Sequence, residues 1–171
     1  MAEDTEASIE ARLGDRLREE GSTLATAESA TGGLVASRIT DVPGASDYFD
    51  RGVVTYAYDA KRELLGVTRE ALDEHGAVSE TVARQMARRV RDLSGTTWGL
   101  SVTGIAGPSG GSPEKPVGTV YLGVAYAAEW GSGASYAAVE RREFDGDRAA
   151  VKTEAAEAAM SLLLSHVESR G

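Results

Sequence analysis

The segment AlaGluSerAlaThrGlyGly, residues 27–33, combines a hydroxyl nucleophile with a glycine-rich turn. It lies between a predicted strand and a predicted helix, so its backbone N–H groups would line a helix N-terminus, a geometry that binds anions or stabilises a developing oxyanion. Ser29 lies in the turn, and Gly32 and Gly33 would let a substrate approach the backbone closely. The alternative is that Ser29 or Thr31 only caps the helix.

Lys61 is the second candidate for chemistry, because only three of the 18 cationic side chains are lysines. Arginine does not lose its proton in a protein, whereas a desolvated lysine can be neutral near pH 7 and act as a base. The segment before it, residues 55–60, contains Tyr56 and Tyr58, which could orient the amine or pack in the core. The alternative is an ordinary surface lysine at a helix start.

The third candidate is a strand ending at Thr103 and the glycine-rich loop 104–118 that follows it. Long irregular loops in compact domains are usually functional, and a strand end in an open α/β sheet is a common ligand site. The spacing of the glycines matches neither a phosphate loop nor a dinucleotide fingerprint. Lys115 could contact a ligand or only solvate the loop. Arg148, which begins the last predicted helix, could bind a phosphate or pair with Asp145.

Composition excludes several classes of function. The chain has 171 residues, no cysteine and only two histidines, so cysteine chemistry is excluded, and a Ser–His–Asp triad or a transition-metal site has little support. With a net charge of −9 and no basic stripe, we expect no nucleic-acid partner.

No apolar run approaches the ~18 residues of a membrane span, and the acidic start is unlike a signal peptide. We therefore expect a soluble, cytoplasmic protein without membrane contact. The scarcity of lysine leads to the hypothesis of adaptation to high salt.

Hydrophobic periodicity predicts alternating helices and strands in one domain, residues 1–171. Helices are predicted at residues 5–20, 34–39, 59–65 (capped by Asp59), 79–93 (capped by Ser79) and 147–169. Strands are predicted at residues 23–27, 52–57, 98–103, 117–127 and 135–142. This order predicts an α/β fold, a three-layer α/β/α sandwich with a mixed, mostly parallel sheet of about five or six strands. His75 is predicted in a turn and His166 on a helix face.

Seven segments together resemble the CinA C-terminal domain family, from about residue 8 to residue 168. They are ThrAlaGluSerAlaThrGlyGlyLeu (26–34), AspValProGlyAlaSer (41–46), GlyValValThrTyr (52–56), HisGlyAlaValSer (75–79), SerValThrGlyIleAlaGlyPro (101–108), ProGluLysProValGlyThrVal (113–120) and GlyAspArg (146–148). Each string alone is modestly specific, but their joint occurrence in this order is highly specific. The family includes stand-alone nicotinamide mononucleotide amidohydrolases.

The resemblance implies deamidation of nicotinamide mononucleotide to nicotinate mononucleotide and ammonia, by Ser–Lys catalysis without a metal or cofactor. It implies that Ser29 is the nucleophile, Lys61 its base and Tyr56 an orienting hydroxyl. It also implies that Thr103 and the glycine loop after it form part of the substrate site. The full substrate site that we predict comprises Ala30, Thr31, Gly32, Gly33, Thr103, Gly104, Ile105, Gly107 and Arg148. We expect the backbone N–H groups of residues 30–33 to stabilise the oxyanion, and the amides of residues 104–107 with Arg148 to bind the substrate phosphate.

Ala30 stands where many relatives have cysteine, a harmless departure if the serine does the chemistry. The nucleotide-processing domain that some relatives fuse to this module has no counterpart, so only the amidase half is expected. We also expect a homo-oligomer. Two other functions remain open: a non-catalytic nucleotide-binding or regulatory module, and an amidase for another small amide.

Overall fold

The structure, a computed structural model, describes residues 6–170 and contains one five-stranded sheet covered by helices. The strands are β1 (Leu24–Glu28), β2 (Phe49–Val54), β3 (Trp98–Gly104), β4 (Thr119–Tyr126) and β5 (Tyr136–Glu143). The helices are α1 (Ile9–Glu19), α2 (Leu34–Thr40), α3 (Tyr58–Leu65), α4 (Arg69–His75), α5 (Glu80–Ser94) and α6 (Arg148–Arg170), with a short 3₁₀ turn at Ala45–Asp47.

The strand order β2-β1-β3-β4-β5 makes the sheet mixed. Strand β1 pairs in parallel with both β2 and β3, whereas β3 with β4 and β4 with β5 pair antiparallel. Within residues 6–170, only β4 therefore runs against the other four strands. After β1 the chain forms β2 on one side of it, and then forms β3 on its other side. The carboxyl end of β1 is thus a topological switch point, the place where open α/β sheets bind ligands.

Two separate apolar cores hold the three layers together. On one face, α1, α2 and α6 pack on the sheet around Leu13, Leu100 and Leu163; on the other, α5 with α3 and α4 packs around Met86 and its neighbours. The predicted three-layer α/β/α fold with a mixed sheet is confirmed. No helix described between residues 6 and 170 is long and apolar enough to cross a membrane.

The predicted elements were wrong in a few places, each with a physical reason. Helix α4 was missed because it has only seven residues and buries only Ala71 and Leu72; His75 is its last residue, not part of a turn. Helix α3 begins at Tyr58, so Asp59 lies in its first turn and is not its cap. Strand β2 begins earlier than predicted. It is an edge strand with exposed polar residues, so it lacks the alternation of apolar and polar residues that predicts a strand.

The helix α5 was predicted with its cap, and Ser79 does accept a hydrogen bond from the N–H of Val82. Leu93, the last residue of the predicted helix, is half exposed. The predicted start of α1 at Thr5 lies outside the described residues. The other boundaries agree to within a few residues, as expected for helix and strand ends.

Helix α5 lies unusually close to the sheet because β3 and β4 present glycines beneath it. A Cβ atom on Gly99 would overlap the carbonyl oxygen of Ala87 and lie 2.9 Å from the Cβ atom of Arg91. One on Gly123 would lie 2.7 Å from the carbonyl oxygen of Ala83. Neither backbone can retreat without disturbing the core between the two layers.

We expect the substitution Gly99→Ala to lower the free energy of unfolding by about 1–3 kcal/mol, because the added methyl group collides with helix backbone. Chemical denaturation monitored by the fluorescence of the buried Trp98 measures this. A denaturation midpoint equal to that of the unsubstituted protein would contradict the close approach of α5.

Candidate active site

Ser29 is the first residue after β1 and lies at the switch point of the sheet. Its backbone N–H donates to the carbonyl oxygen of Val102 in β3 at 2.9 Å, so the register of the two strands fixes its position. The residue is only 7% exposed. A serine hydroxyl is thereby held at the carboxyl edge of the sheet, largely out of water.

Lys61 reaches this serine from the first part of α3. Its amine nitrogen Nζ lies 2.9 Å from Oγ of Ser29 and donates to the carbonyl oxygen of Thr55 at 2.7 Å. The residue is 1% exposed, and this burial lowers the pKa of the Lys61 amine from 10.5 to about 8. The Lys61 amine therefore loses its proton already at mildly alkaline pH. The sequence prediction that Ser29 and Lys61 meet agrees with this geometry.

The end of β2 supplies the second partner of the lysine. The N–H of Thr55 donates to the carbonyl oxygen of Glu28 at 2.8 Å, which extends the pairing of β1 and β2 by one residue. The carbonyl group of Thr55 then points to the amine of Lys61. Two hydrogen bonds to neutral oxygens restrain Nζ, and no carboxylate in residues 6–170 forms an ion pair with it.

Glu28, the last residue of β1, fixes the turn that carries Ser29. Its carboxylate is buried and accepts hydrogen bonds from the hydroxyl of Thr31 at 2.6 Å and from the N–H groups of Val35 and Ala36 at 2.8 and 3.0 Å. Helix α2 needs this remote cap because its N-cap residue, Gly33, has no side chain to provide one. The carboxylate thus ties strand, turn and helix together.

Ser29 and Lys61 lie in the wall of a cavity of about 280 Å³. Five more predicted site residues also line it: Ala30, Tyr56, Thr103, Gly104 and Arg148. The rest of the lining is Ala77, Val78 and Ala106. The predicted residues Thr31, Gly32, Gly33, Ile105 and Gly107 are outside this lining, although they flank it in the chain.

The side chains of Tyr56 and Arg148 close one side of the cavity. Arg148 donates to the phenol oxygen of Tyr56 at 2.9 Å and to the carbonyl oxygen of Gly107 at 2.7 Å. The Tyr56 hydroxyl therefore binds the arginine, whereas the lysine amine is restrained by Ser29 and Thr55. Thr103 is buried and donates its hydroxyl to the carbonyl oxygen of Ala77, which holds the connection between α4 and α5 against β3.

Several predicted backbone contacts are already used within the protein. The N–H of Gly32 donates to the carbonyl oxygen of Ser29 at 3.1 Å, and that of Ile105 donates to Thr119 at 2.9 Å. The hydroxyl of Thr31 is bonded to Glu28. These three groups support the turn and the loop, so they are not free to bind a substrate. This differs from the sequence prediction, which placed the turn and the loop in the substrate site. A sequence pattern does not show whether a turn satisfies its own N–H groups.

Neither histidine lines the cavity that contains Ser29 and Lys61. His166 shares a hydrogen bond of 2.8 Å with the hydroxyl of Tyr136, at the opposite edge of the sheet, which agrees with its predicted place on a helix face. Burial lowers the pKa of His166. No group of three or more histidine, aspartate or glutamate side chains in the described part of the chain could hold a metal ion.

Sequence reasoning missed the role of Glu28 and the apolar lining formed by Ala77, Val78 and Ala106. A signal for Glu28 existed: a glutamate at the end of an apolar strand, before a helix that starts at two glycines, could supply the missing cap. The apolar lining carries no local signal, because it comes from connections brought together only by the fold.

Comparison with known proteins agrees with this fold and shows the family. The CinA C-terminal domain model matches residues 6–167. A CinA-like protein of Salinibacter ruber is 59% identical over 122 residues, which are 71% of this chain and 30% of that protein. A CinA-like protein of Geobacter sulfurreducens is 52% identical over 156 residues, 91% of this chain and 36% of that protein. The chain thus spans about a third of the length of these relatives.

Solved structures show the same architecture over almost the whole chain. A CinA superfamily protein from Klebsiella pneumoniae superposes with a TM-score of 0.85 at 33% identity, covering 94% of this chain and 96% of that one. The competence/damage inducible protein CihA from Agrobacterium tumefaciens superposes with a TM-score of 0.83 at 37% identity, covering 93% and 96%. Sequence and structure agree, and the chain belongs to the CinA C-terminal domain family.

Proposed function

We propose that this protein is an amidohydrolase that releases ammonia from nicotinamide mononucleotide and leaves nicotinate mononucleotide. The observation that carries the proposal is the distance of 2.9 Å between Nζ of Lys61 and Oγ of Ser29, both buried in the wall of one cavity. A serine is activated as a nucleophile by a base within hydrogen-bond reach, and a desolvated lysine is such a base. The mononucleotide as substrate follows from the family resemblance.

The reaction has two halves. Neutral Lys61 accepts the proton of Ser29 as Oγ attacks the carboxamide carbon, and the C=O bond opens to a tetrahedral oxyanion. The protonated lysine then gives its proton to the amide nitrogen, and the C–N bond breaks to release ammonia and leave an acyl ester on Ser29. Water attacks this ester with the same lysine as base, and the carboxylate product and the serine hydroxyl are regenerated.

The turn after Ser29 supplies the donors for the oxyanion. The N–H groups of Ala30 and Thr31 have no acceptor within residues 6–170, in contrast to the N–H of Gly32. Ala30 also lines the cavity. We assign these two N–H groups to the oxyanion, where one such donor contributes ~3 kcal/mol to the transition state in a well-studied enzyme. Glu28 holds their turn in place through Thr31.

The buried lysine favours catalysis over a module that only binds a nucleotide. An ammonium group loses hydration when it is buried, so a site that only binds a ligand gains nothing from placing a lysine beneath a serine. An amidase for another small amide would use the same pair, and a panel of amides separates it from the proposed activity. The homo-oligomer, the cytoplasmic location and the adaptation to high salt stay predictions.

We expect Ser29→Ala to lower the rate of ammonia release by at least about a thousandfold, because the covalent route is lost. The measurement is coupled detection of ammonia from nicotinamide mononucleotide, in low and in high salt. Ser132→Ala, in the exposed connection between β4 and β5, is the matched control and should keep full activity. Activity of the Ser29 variant close to that of the control would refute the serine as nucleophile. An inactive unsubstituted protein that is still stabilised by the mononucleotide would instead indicate a binding module.

The pH dependence of kcat/KM tests whether the amine of Lys61 is the base. Because burial lowers the pKa of Lys61 to about 8, only a small part of the enzyme holds the neutral amine at pH 6. We expect kcat/KM to rise about tenfold for each pH unit below 8 and to level off above it. A rate independent of pH between 6 and 9 would exclude a titrating amine as the base.

Removal of the lysine should stabilise the fold while it abolishes activity. The pKa of Lys61 is 10.5 in the unfolded chain and about 8 in the folded one, so the unfolded chain binds more protons between these pH values. The unsubstituted protein therefore gains stability as the pH rises from about 8 to about 10.5. We expect Lys61→Met to be more stable by on the order of 2–3 kcal/mol at pH 7. The difference should shrink towards pH 10.5, as measured by urea denaturation at both pH values. A constant difference would show that the charge of Lys61 does not cause it.

A further inference from the structure

The glycine-rich loop 104–118 runs out and back beside the cavity that contains Ser29 and Lys61. Its outgoing arm supplies Gly104 and Ala106 to the lining of that cavity. Its return arm leads into β4. The position of the loop therefore decides the shape of one part of the cavity wall.

The two arms of the loop are packed directly against each other. A Cβ atom on Gly111 would lie 2.7 Å from the backbone nitrogen of Val117, and one on Gly107 would lie 2.5 Å from a methyl group of the same valine. The N–H of Gly118 donates to the carbonyl oxygen of Ile105 at 2.8 Å. Because the arms are in contact, a displacement of the return arm also displaces the arm that lines the cavity.

Two cationic side chains fasten the tip of this loop, residues 109–115, to the rest of the protein. Nζ of Lys115 donates to the carbonyl oxygen of His75 at 3.0 Å, and the guanidinium group of Arg141 in β5 donates to the carbonyl oxygen of Glu114 at 2.7 Å. Among residues 6–170, the other hydrogen bonds of the tip join residues within it. The place of the tip therefore depends on these two cations.

The carbonyl group that Lys115 binds belongs to a segment that is itself well fixed. His75 is the last residue of α4, so its carbonyl group has no partner within the helix. In the connection that follows, the N–H of Ala77 donates to the phenol oxygen of Tyr58 at 3.3 Å, and the carbonyl oxygen of Ala77 accepts from the hydroxyl of Thr103 at 2.8 Å. Ala77 also lines the cavity. Lys115 thus joins two parts of the chain that both contribute to the cavity wall.

We propose that Lys115 is a positioning residue, which fastens the tip of the loop to the end of α4 and so holds the cavity in the shape that binds the substrate. The proposal rests on the proposed amidohydrolase function. Lys115 is not part of the cavity lining, so it acts through the loop and not by contact with the substrate. A lysine amine suits this place, because a cation at a helix C-terminus binds the last carbonyl groups and interacts favourably with the helix dipole.

The first test is the kinetics of Lys115→Met with nicotinamide mononucleotide. A released loop lowers the fraction of free enzyme whose cavity can bind the substrate, and binding restores the loop. We expect KM to rise about threefold to tenfold while kcat changes by less than about twofold. Lys115→Arg should recover most of the loss, because its guanidinium group can donate to the same carbonyl oxygen. The matched control is Arg88→Met, which removes an exposed cation of α5 and should leave KM unchanged.

The second test needs no activity. Hydrogen exchange of the free protein, measured by mass spectrometry on peptides that cover residues 104–118, reports the opening of the loop. We expect exchange in these peptides to be about threefold to tenfold faster in Lys115→Met. It should be unchanged in Arg88→Met and close to unchanged in Lys115→Arg. Peptides from β1 should exchange equally in all four proteins.

Three results would overturn the proposal. They are an unchanged KM in Lys115→Met, the same rise of KM in Arg88→Met, and a raised KM without faster exchange of the loop, which would show that the lysine contacts the substrate itself. If the unsubstituted protein releases no ammonia, the proposed function has failed, and titration calorimetry with the mononucleotide replaces the kinetics. Weaker binding by Lys115→Met together with faster loop exchange then supports the positioning role, and unchanged binding or unchanged exchange overturns it.

Discussion

The site depends on an amine that is kept out of water within hydrogen-bond distance of a serine hydroxyl. An ammonium group in that place is destabilised by the loss of its hydration, and this is why burial lowers the pKa of Lys61 to about 8. Release of the proton removes this cost, so the amine can stay buried in its neutral form. Hydrogen bonds to Ser29 and Thr55 hold the amine without neutralising it by a carboxylate. In the proposed reaction, this cost in stability supplies a base near neutral pH.

The topology of the sheet explains why this pair forms at β1. The chain passes from β1 outwards to β2 and returns at β3, so two connections leave the carboxyl edge on opposite sides and open a cleft between them. Ser29 comes from the end of β1, the carbonyl group of Thr55 follows the end of β2, and Thr103 lies near the end of β3. Glu28 adds rigidity, because it caps α2 from the neighbouring strand. Three adjacent strands thus fix the Ser29 hydroxyl, the carbonyl partner of the Lys61 amine and one wall of the cavity.

Residue types pointed to Ser29 and Lys61, which meet in the structure, but not to the contacts that support them. Ser29 stands out by its place between a strand and a glycine turn, and Lys61 by being a lysine in a chain rich in arginine. Their contact across 32 residues depends on the pairing of β1 with β2, which a family resemblance implies and a local pattern does not. The engaged N–H groups of Gly32 and Ile105 and the short helix α4 depend on tertiary contacts. Propensity and periodicity do not describe such contacts, so these details could not be predicted.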